Sequence, residues 1–319
     1  VDGTAEIDGV MAAVSMAQPL APDGSDAAGG QQAASLALDR EARLRLGLDI
    51  EDIVSGTIDA QVRSLPDGTG QHYDLDLGRA GLVLPGLGWS KAVGVPAAMR
   101  FDLHPAPGGS RADNIVIVGD GFGFTGTAAI GDAEGLLSAR LEKVRLRAGD
   151  DLNLAADLEN GAYAVKVDGA SFDVRGVLAE MKGEVEVGPD AVAGETADIV
   201  LEARVAKLHG YNERVLNDAA VSFVLRNDVI RKIAVTGRLG GGPVALDLTE
   251  EISHASVAAS ADNGGALLDY LDIYGRVGGG RLQVDGARPS PTGPLAGTMA
   301  LTGFAILDEP AIGEVVSRA

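Results

Sequence analysis

The feature that most constrains this chain is a two-residue alternation of apolar and polar side chains, repeated in run after run. Leu141-Glu142-Lys143-Val144-Arg145-Leu146-Arg147 is one such run, and Tyr163-Ala164-Val165-Lys166-Val167-Asp168 is another. Segments 42–50, 73–77, 152–158, 199–205, 221–225, 233–239, 244–248 and 282–285 continue the pattern. Successive side chains on a β-strand point to opposite faces, so each run makes a strand with one apolar and one wet face. The separators are turn residues: Asp67-Gly68, Asn160-Gly161, Asp168-Gly169, Gly240-Gly241-Gly242-Pro243 and Asp285-Gly286. Glu159-Asn160-Gly161-Ala162, between two alternating runs, is the strongest hairpin signal.

Helical patterning is confined to short stretches. Segment 173–182 offers Asp173 as an N-cap and Val177, Leu178 and Met181 at helical spacing. Segment 262–274 starts at Asp262 and places Leu267, Leu268, Leu271 and Tyr274 on one stripe, ending at Gly275. A shorter helix is expected over 309–317, with Pro310 in its first turn. Segments 19–34 and 286–294 read as loops. The expected fold is mainly β: a long, twisted antiparallel sheet that curls over its own apolar face, with a few short helices. Roughly 16–20 strands of about ten residues give a sheet about 80–95 Å long.

Composition narrows the function. The formal net charge is −20, from 46 acidic and 26 basic side chains. That balance argues against nucleic acid and against a basic face for anionic lipid head groups. The apolar fraction is 46%, enough for an ordered fold. No run approaches about 18 uninterrupted apolar residues, the length of a spanning helix. Cysteine is absent, which removes disulfides and thiolate chemistry. The chain begins at Val1 without a signal-like segment, as a processed chain or excised portion does.

One-sided strands need something against the apolar face. On residue pattern alone, a closed sandwich or barrel core comes first, and a lipid-facing groove is the alternative. The expected inner positions are Leu, Val, Ile and Ala almost throughout. With only six Phe, five Tyr and one Trp, the aromatic girdles of an outer-membrane barrel are not available.

The sequence gives no positive support for an enzyme. Gly121, Gly123 and Gly126 form a G-x-G-x-x-G after a strand-like run. The dinucleotide fingerprint also needs a helix, and segment 127–138 has no helical stripe. These glycines, with Gly119, are expected in a bulged or small-residue strand. His72, His104, His209 and His254 are scattered without metal-ligand spacing. Asp150-Asp151 and Glu250-Glu251 read as solvated turns. No catalytic residue, metal or cofactor is expected.

The C-terminal region is more specific. It carries Asp262-Asn263-Gly264-Gly265-Ala266-Leu267-Leu268, then Gly278-Gly279-Gly280-Arg281-Leu282, Gly293-Pro294-Leu295-Ala296-Gly297 and Phe304-Ala305-Ile306-Leu307-Asp308-Glu309-Pro310. This resembles the C-terminal region of the AsmA-like family of Gram-negative envelope proteins, nearest the YhdP-type members. The likeness is close over about 255–315 and looser over 140–255; residues 1–140 match only by architecture. It implies that the curled sheet is groove-like and β-taco-like, in three stretches: 1–140 and 141–255 as parts of an elongated β-groove, and 256–319 as the AsmA-like C-terminal segment. It further implies a periplasmic location, tethering to the inner membrane by an N-terminal helix outside this chain, and kinship with bridge-like lipid-transfer proteins. The expected partners are phospholipids or other acyl lipids and envelope proteins of the two membranes.

The expected function is therefore shielding of acyl chains in a hydrophobic groove between inner and outer membranes. The alternative is a non-enzymatic structural or assembly β protein of the envelope with a closed core. The groove candidates are Leu44, Leu46 and Leu48; Val144 and Leu146; Val165 and Val167; Leu201 and Val205; Val221, Phe223 and Leu225; and Ile233 and Val235.

Overall fold

A computed structural model describes residues 2–7, 9–17, 31–183, 197–227, 229–250, 254–288 and 296–307. The chain is mainly β: eighteen strands belong to one sheet, three short strands form a second, and three short helices are described. The expected helix over 309–317 lies outside the described residues, as does most of the loop expected over 19–34. The chain divides into two compact units, one built mainly from residues 1–148 and the other mainly from 159–182 and 195–319.

The first unit starts with β1 (Asp2–Ile7), β2 (Val10–Ala17) and β3 (Gln31–Leu38). Helix α1 (Arg40–Arg45) and strand β4 (Val54–Gly56) follow. Next come β5 (Ile58–Ser64), β6 (Gln71–Asp76), β7 (Ala80–Leu84), β8 (Trp89–Lys91) and β9 (Ala97–Ala106). The unit closes with β10 (Gly109–Gly119), β11 (Gly123–Gly131) and β12 (Gly135–Arg145). Large-sheet strands pair antiparallel in the order β1-β2-β3-β5-β6-β9-β10-β11-β12. Strands β4, β7 and β8 form the small sheet.

The expected strand over 42–50 is not formed. Asp39 caps a helix there instead, its side chain accepting the Ala42 N–H at 2.9 Å. Glu41 and Arg45 add an ion pair across one turn of α1. The helix, the small sheet and Trp89 pack on one end of the large sheet's apolar face. There Val10, Leu38, Ile58, Ala97, Ile117 and Phe122 share a buried cluster with Ala42, Val54, Leu82 and Trp89.

Arg43 holds this cap in place and is 0% exposed. Its guanidinium donates to the carbonyls of Leu38 (3.1 Å), Val54 (3.2 Å) and Gly56 (2.7 Å), and to Glu51 Oε1 (2.7 Å). It thus ties the end of β3 to β4 and the intervening loop. Lys91 does similar work, donating to the carbonyls of Leu77 (2.8 Å) and Ala80 (2.6 Å), and burial pushes its ammonium below the usual lysine value.

β13 (Asp151–Glu159) leads to the second unit through Asn160 and Gly161, at φ 52° and 79°. These are the left-handed conformations that a two-residue hairpin turn requires. The second unit contains β14 (Ala162–Asp173), α2 (Arg175–Met181), β15 (Asp198–His209), β16 (Val215–Arg226), β17 (Val229–Leu239) and β18 (Gly242–Glu250). It ends with β19 (Ala255–Ala261), α3 (Gly264–Tyr270), β20 (Val277–Arg288) and β21 (Ala296–Ile306). Strands β15 to β21 pair antiparallel in chain order. The β14–β15 pair is parallel, within a sheet that is otherwise antiparallel at each pairing described, as the predominantly antiparallel expectation allows. The 174–197 connection, which includes α2, is long enough for such a crossover.

Replacing Arg43 with Met leaves three buried carbonyls without their donor. Urea unfolding should show a loss of about 3–5 kcal/mol. Arg63→Ala, which breaks only the exposed pair with Asp74, should cost under about 1 kcal/mol.

Candidate functional site: register-aligned apolar rows

Residues directly opposite one another in adjacent strands lie on the same face of a sheet. In the second unit this rule assembles two unbroken apolar rows. One runs Val165–Leu201–Phe223–Ile233–Leu248–Val257–Gly286–Gly297 across β14 to β21. The next runs Val167–Ala203–Val221–Val235–Leu246–Ala259–Val284–Met299. None of these side chains carries a hydrogen-bonding group. The alternate positions make the opposite face, for example Lys166–Glu202–Ser222–Ala234–Asp247–Ala258–Asp285–Thr298. Eight strands at a spacing of about 4.8 Å make each row about 34 Å long.

Coverage of this face is graded. Helix α3 lies over one end, capped by Asn263, whose side chain accepts the Ala266 N–H at 3.0 Å. Small residues let it sit close: a Cβ on Gly264 would stand 2.6 Å from Leu301 Cδ1, and one on Gly210 2.5 Å from the Tyr270 ring. Beneath it, Leu239, Val244, Ala261 and Leu282 are buried, as is the helix's own Tyr270, whose phenol burial pushes well above its usual value. Beyond α3, Val165, Val167, Leu201, Val221, Phe223, Ile233, Val235, Leu246, Leu248 and Val257 are all half-buried. Among the described residues of this unit, no second layer buries these two rows.

The first unit has a comparable row, Ala12–Leu36–Ala60–Leu75–Met99–Ile117–Phe124, across β2 to β11. Here the protein supplies its own cover, because most of this row packs into the cluster closed by α1 and the small sheet. Trp89 and Phe122 meet edge to face at 5.0 Å, and Trp89 Nε1 donates to the Leu146 carbonyl at 2.7 Å.

The sequence-nominated residues fall into three groups. Val165, Val167, Leu201, Val221, Phe223, Ile233 and Val235 lie in the two half-buried rows, and Leu225 lies opposite Ile199 at the neighbouring position. Val205 is buried, paired with Ala219. Val144 is also buried, and Leu146 packs against the capped cluster. Leu44, Leu46 and Leu48 do not line a strand face. Leu44 is on α1 and 42% exposed, Leu46 ends that helix against the buried cluster, and Leu48 is 44% exposed beyond it. Not nominated from sequence were Leu246, Leu248, Val257, Ala259 and Val284. Segment 244–248 shows the alternation that could have marked the first two, whereas Val257 and Ala259 sit in an Ala/Ser-rich run with weak contrast.

The glycine motif takes the conformation expected of a small-residue strand. Gly119 ends β10, Gly121 (φ 79°) lies in the tight turn, and Gly123 and Gly126 belong to β11. A Cβ on Gly126 would stand 2.2 Å from the Arg140 carbonyl oxygen, so the glycine permits close strand approach. No helix follows it to receive a pyrophosphate.

The polar face of the first unit holds one compact cluster. His72 Nδ1 lies 2.5 Å from Asp102 Oδ1, its Nε2 lies 3.3 Å from Asp74, and the Asn114 amide donates to Asp102 at 2.7 Å. The Asn114 amide, followed by His72, holds the Asp102 carboxyl below the usual carboxylate range. No hydroxyl or thiol nucleophile is hydrogen-bonded to His72 among these contacts. Among the described residues, no three His, Cys, Asp or Glu side chains are grouped to hold a metal ion. An open recess of about 910 Å³ on this unit has Asp59, Asp74, Asp76, Arg100 and Asp120 among its lining residues. Comparisons with protein-family models, curated proteins and solved structures found no match.

A carboxylate whose folded pKa is depressed stabilises above its unfolded value of about 3.9 and loses that contribution as pH falls through the folded value. Asp102→Asn should therefore flatten the acid limb of stability. Urea midpoints from neutral pH down to the acid limit, measured for both proteins, check this; parallel decline would show that Asp102 contributes nothing to acid sensitivity.

Proposed function

We propose that the chain binds the acyl tails of phospholipids or similar lipids along the half-buried apolar face of its second unit. The reading places it in the periplasm, as a stretch of a lipid conduit between the inner and outer membranes of a Gram-negative envelope. The observation that carries it is the pair of unbroken, register-aligned apolar rows with no polar side chain in either. Such a face offers burial without hydrogen-bond specificity, which suits fluid hydrocarbon and discriminates little between chain lengths. Its length supports the same reading. A row of about 34 Å accommodates two tails end to end, since one leaflet of a hydrocarbon core is about 15 Å thick.

The action proposed is passive. Each methylene shielded from water contributes about 0.8 kcal/mol, and the shielding given up at one row position is recovered at the next. A tail then slides without meeting a group that fixes it. Head groups remain in water at the open side of the face. The sequence resemblance to AsmA-like proteins supports the lipid, the periplasm and envelope-protein partners; neither catalytic group nor cofactor enters this reading.

The capped first unit favours the second reading, a closed-core structural or assembly protein of the envelope, because there the protein fills its own apolar face. Val235→Asp separates the two. Val235 is half-buried between Val221 and Leu246. On the lipid reading, the variant keeps its circular dichroism spectrum but loses most co-purifying phospholipid in native mass spectra. Thr236→Asp, on the opposite face, leaves lipid binding unchanged. Unfolding of the Val235 variant supports the closed core. Lipid-free wild-type protein that also fails to take up a fluorescent phospholipid overturns the proposal.

A further inference from the structure

The last strand of the second unit, β21, is an edge: among the described residues it pairs with β20 on one side and with no strand on the other. Exposed edges ordinarily carry a guard, such as a lysine, a proline or an inward-pointing charge, because bare N–H and C=O groups recruit foreign strands. β21 has none. Its eleven residues, AGTMALTGFAI, include no charged residue and no proline. All are exposed except Leu301, which is half-buried, and Met299 (69%), Phe304 (44%) and Ile306 (45%) are large apolar groups in water. β1, at the edge of the first unit, has only one strand partner as well, but it carries Asp2 and Glu6.

We infer that β21 is an interaction surface for a second copy of this chain, pairing antiparallel with its own counterpart about a two-fold axis. Two observations select this occupant. The first is side-chain size. With Leu301 at the centre of the strand, antiparallel self-pairing sets Met299 opposite Gly303, Phe304 opposite Thr298, Ile306 opposite Ala296 and Ala305 opposite Gly297. Nearly every large group of one copy meets a small residue of the other, and the pairing leaves room for both Met299 side chains. The second is charge. Two copies of a −20 chain repel each other, so association is favoured along a segment that adds no charge of its own. Pairing β21 with β1 would bring Asp2 and Glu6 to an edge that has no cation to meet them. Self-pairing also sets Leu301, which lies opposite Leu282 on the apolar side of the sheet, against its own counterpart.

The test is register-specific. Ala300 and Thr302 are exposed, face each other across the inferred axis, and lie away from the apolar rows. Sedimentation velocity of the full chain over a concentration series should show a species of twice the 32.4 kDa chain mass. The double variant Ala300→Lys/Thr302→Lys sets like charges opposite each other and should weaken the dimer about tenfold. Ala300→Lys/Thr302→Glu sets opposite charges together at the same two positions and should restore it. Circular dichroism spectra matching wild type confirm that each variant is folded. A wild-type chain that stays monomeric throughout overturns the inference. So does a Lys/Glu variant no better than Lys/Lys, which would place any dimer interface elsewhere. Strong hydrogen-exchange protection of β21 in a monomer would assign the edge to other residues of the same chain, and equally overturns it.

Discussion

Everything in the second unit depends on strand register. Because side chains alternate with a period of two, a slip of one residue in one strand would carry its apolar set to the wet face. At β15 it would put Glu202 where Leu201 or Ala203 stands, in the middle of a row with no polar partner. The register is pinned at the turns. Asp198, at the start of β15, accepts the Asn227 N–H at 2.8 Å and an Arg226 guanidinium N–H at 3.0 Å, tying that strand to the turn between β16 and β17. These hydrogen bonds hold the Asp198 carboxyl below its usual range. Asn227 itself takes φ 50°, and Gly240 and Gly241 take 58° and 88° in the next hairpin. Turn chemistry therefore sets which face each aliphatic side chain joins.

Most of the strands were legible for the same reason. Where polar and apolar residues contrast strongly, as in 141–147 or 199–205, periodicity and burial requirements point the same way. Segment 42–50 shows where they part. Leu44, Leu46 and Leu48 alternate like a strand, yet the local capping residue Asp39 and the Glu41–Arg45 pair favour a helical turn. The side chains this helix buries are Ala42 and Arg43, not its leucines. A fully buried arginine cannot be read from hydropathy, because its burial is stabilised by carbonyls distant in the sequence. The helix at 262–274 was legible in type but shifted at its ends, since Asn263 rather than Asp262 caps it. Of the candidate rows, the contributions of β14 to β18 and Val284 of β20 fall in alternating runs of the sequence, and that of β19 does not. Val257 and Ala259 are flanked by Ala and Ser, which mark no face by themselves.

The scarcity of aromatic residues acquires a spatial meaning. In the first unit, Trp89, Phe122 and Phe124 gather where the cap closes over the sheet. In the second, Tyr270 at the end of α3 does the same, against the space left by Gly210. These rings stand where the protein fills its own interior, whereas Tyr274 and Phe304 are exposed. Across the two half-buried rows of the second unit, Phe223 is the sole aromatic side chain, and the others are aliphatic or glycine. A face meant to close on itself gains from bulky rings that fill volume; a face that receives mobile hydrocarbon is better served by smooth aliphatic relief.

An apolar face left half-open is an aggregation hazard unless something occupies or isolates it. The distribution of charge addresses part of this. The alternate face of the same strands carries Lys166, Glu202, Asp247 and Asp285 in one row, so four of the eight strands place a charge there, on the side away from the aliphatic row. Repulsion between acidic surfaces hinders face-to-face stacking of copies, while it scarcely affects an uncharged hydrocarbon tail. The same repulsion does not guard β21, whose eleven residues are neutral along the whole strand. On the proposed reading, lipid shields the face and a second copy shields the edge. The two exposed features are then met by two different occupants, each matched to the chemistry left open: hydrocarbon against aliphatic rows, and backbone hydrogen bonds against an unpaired strand.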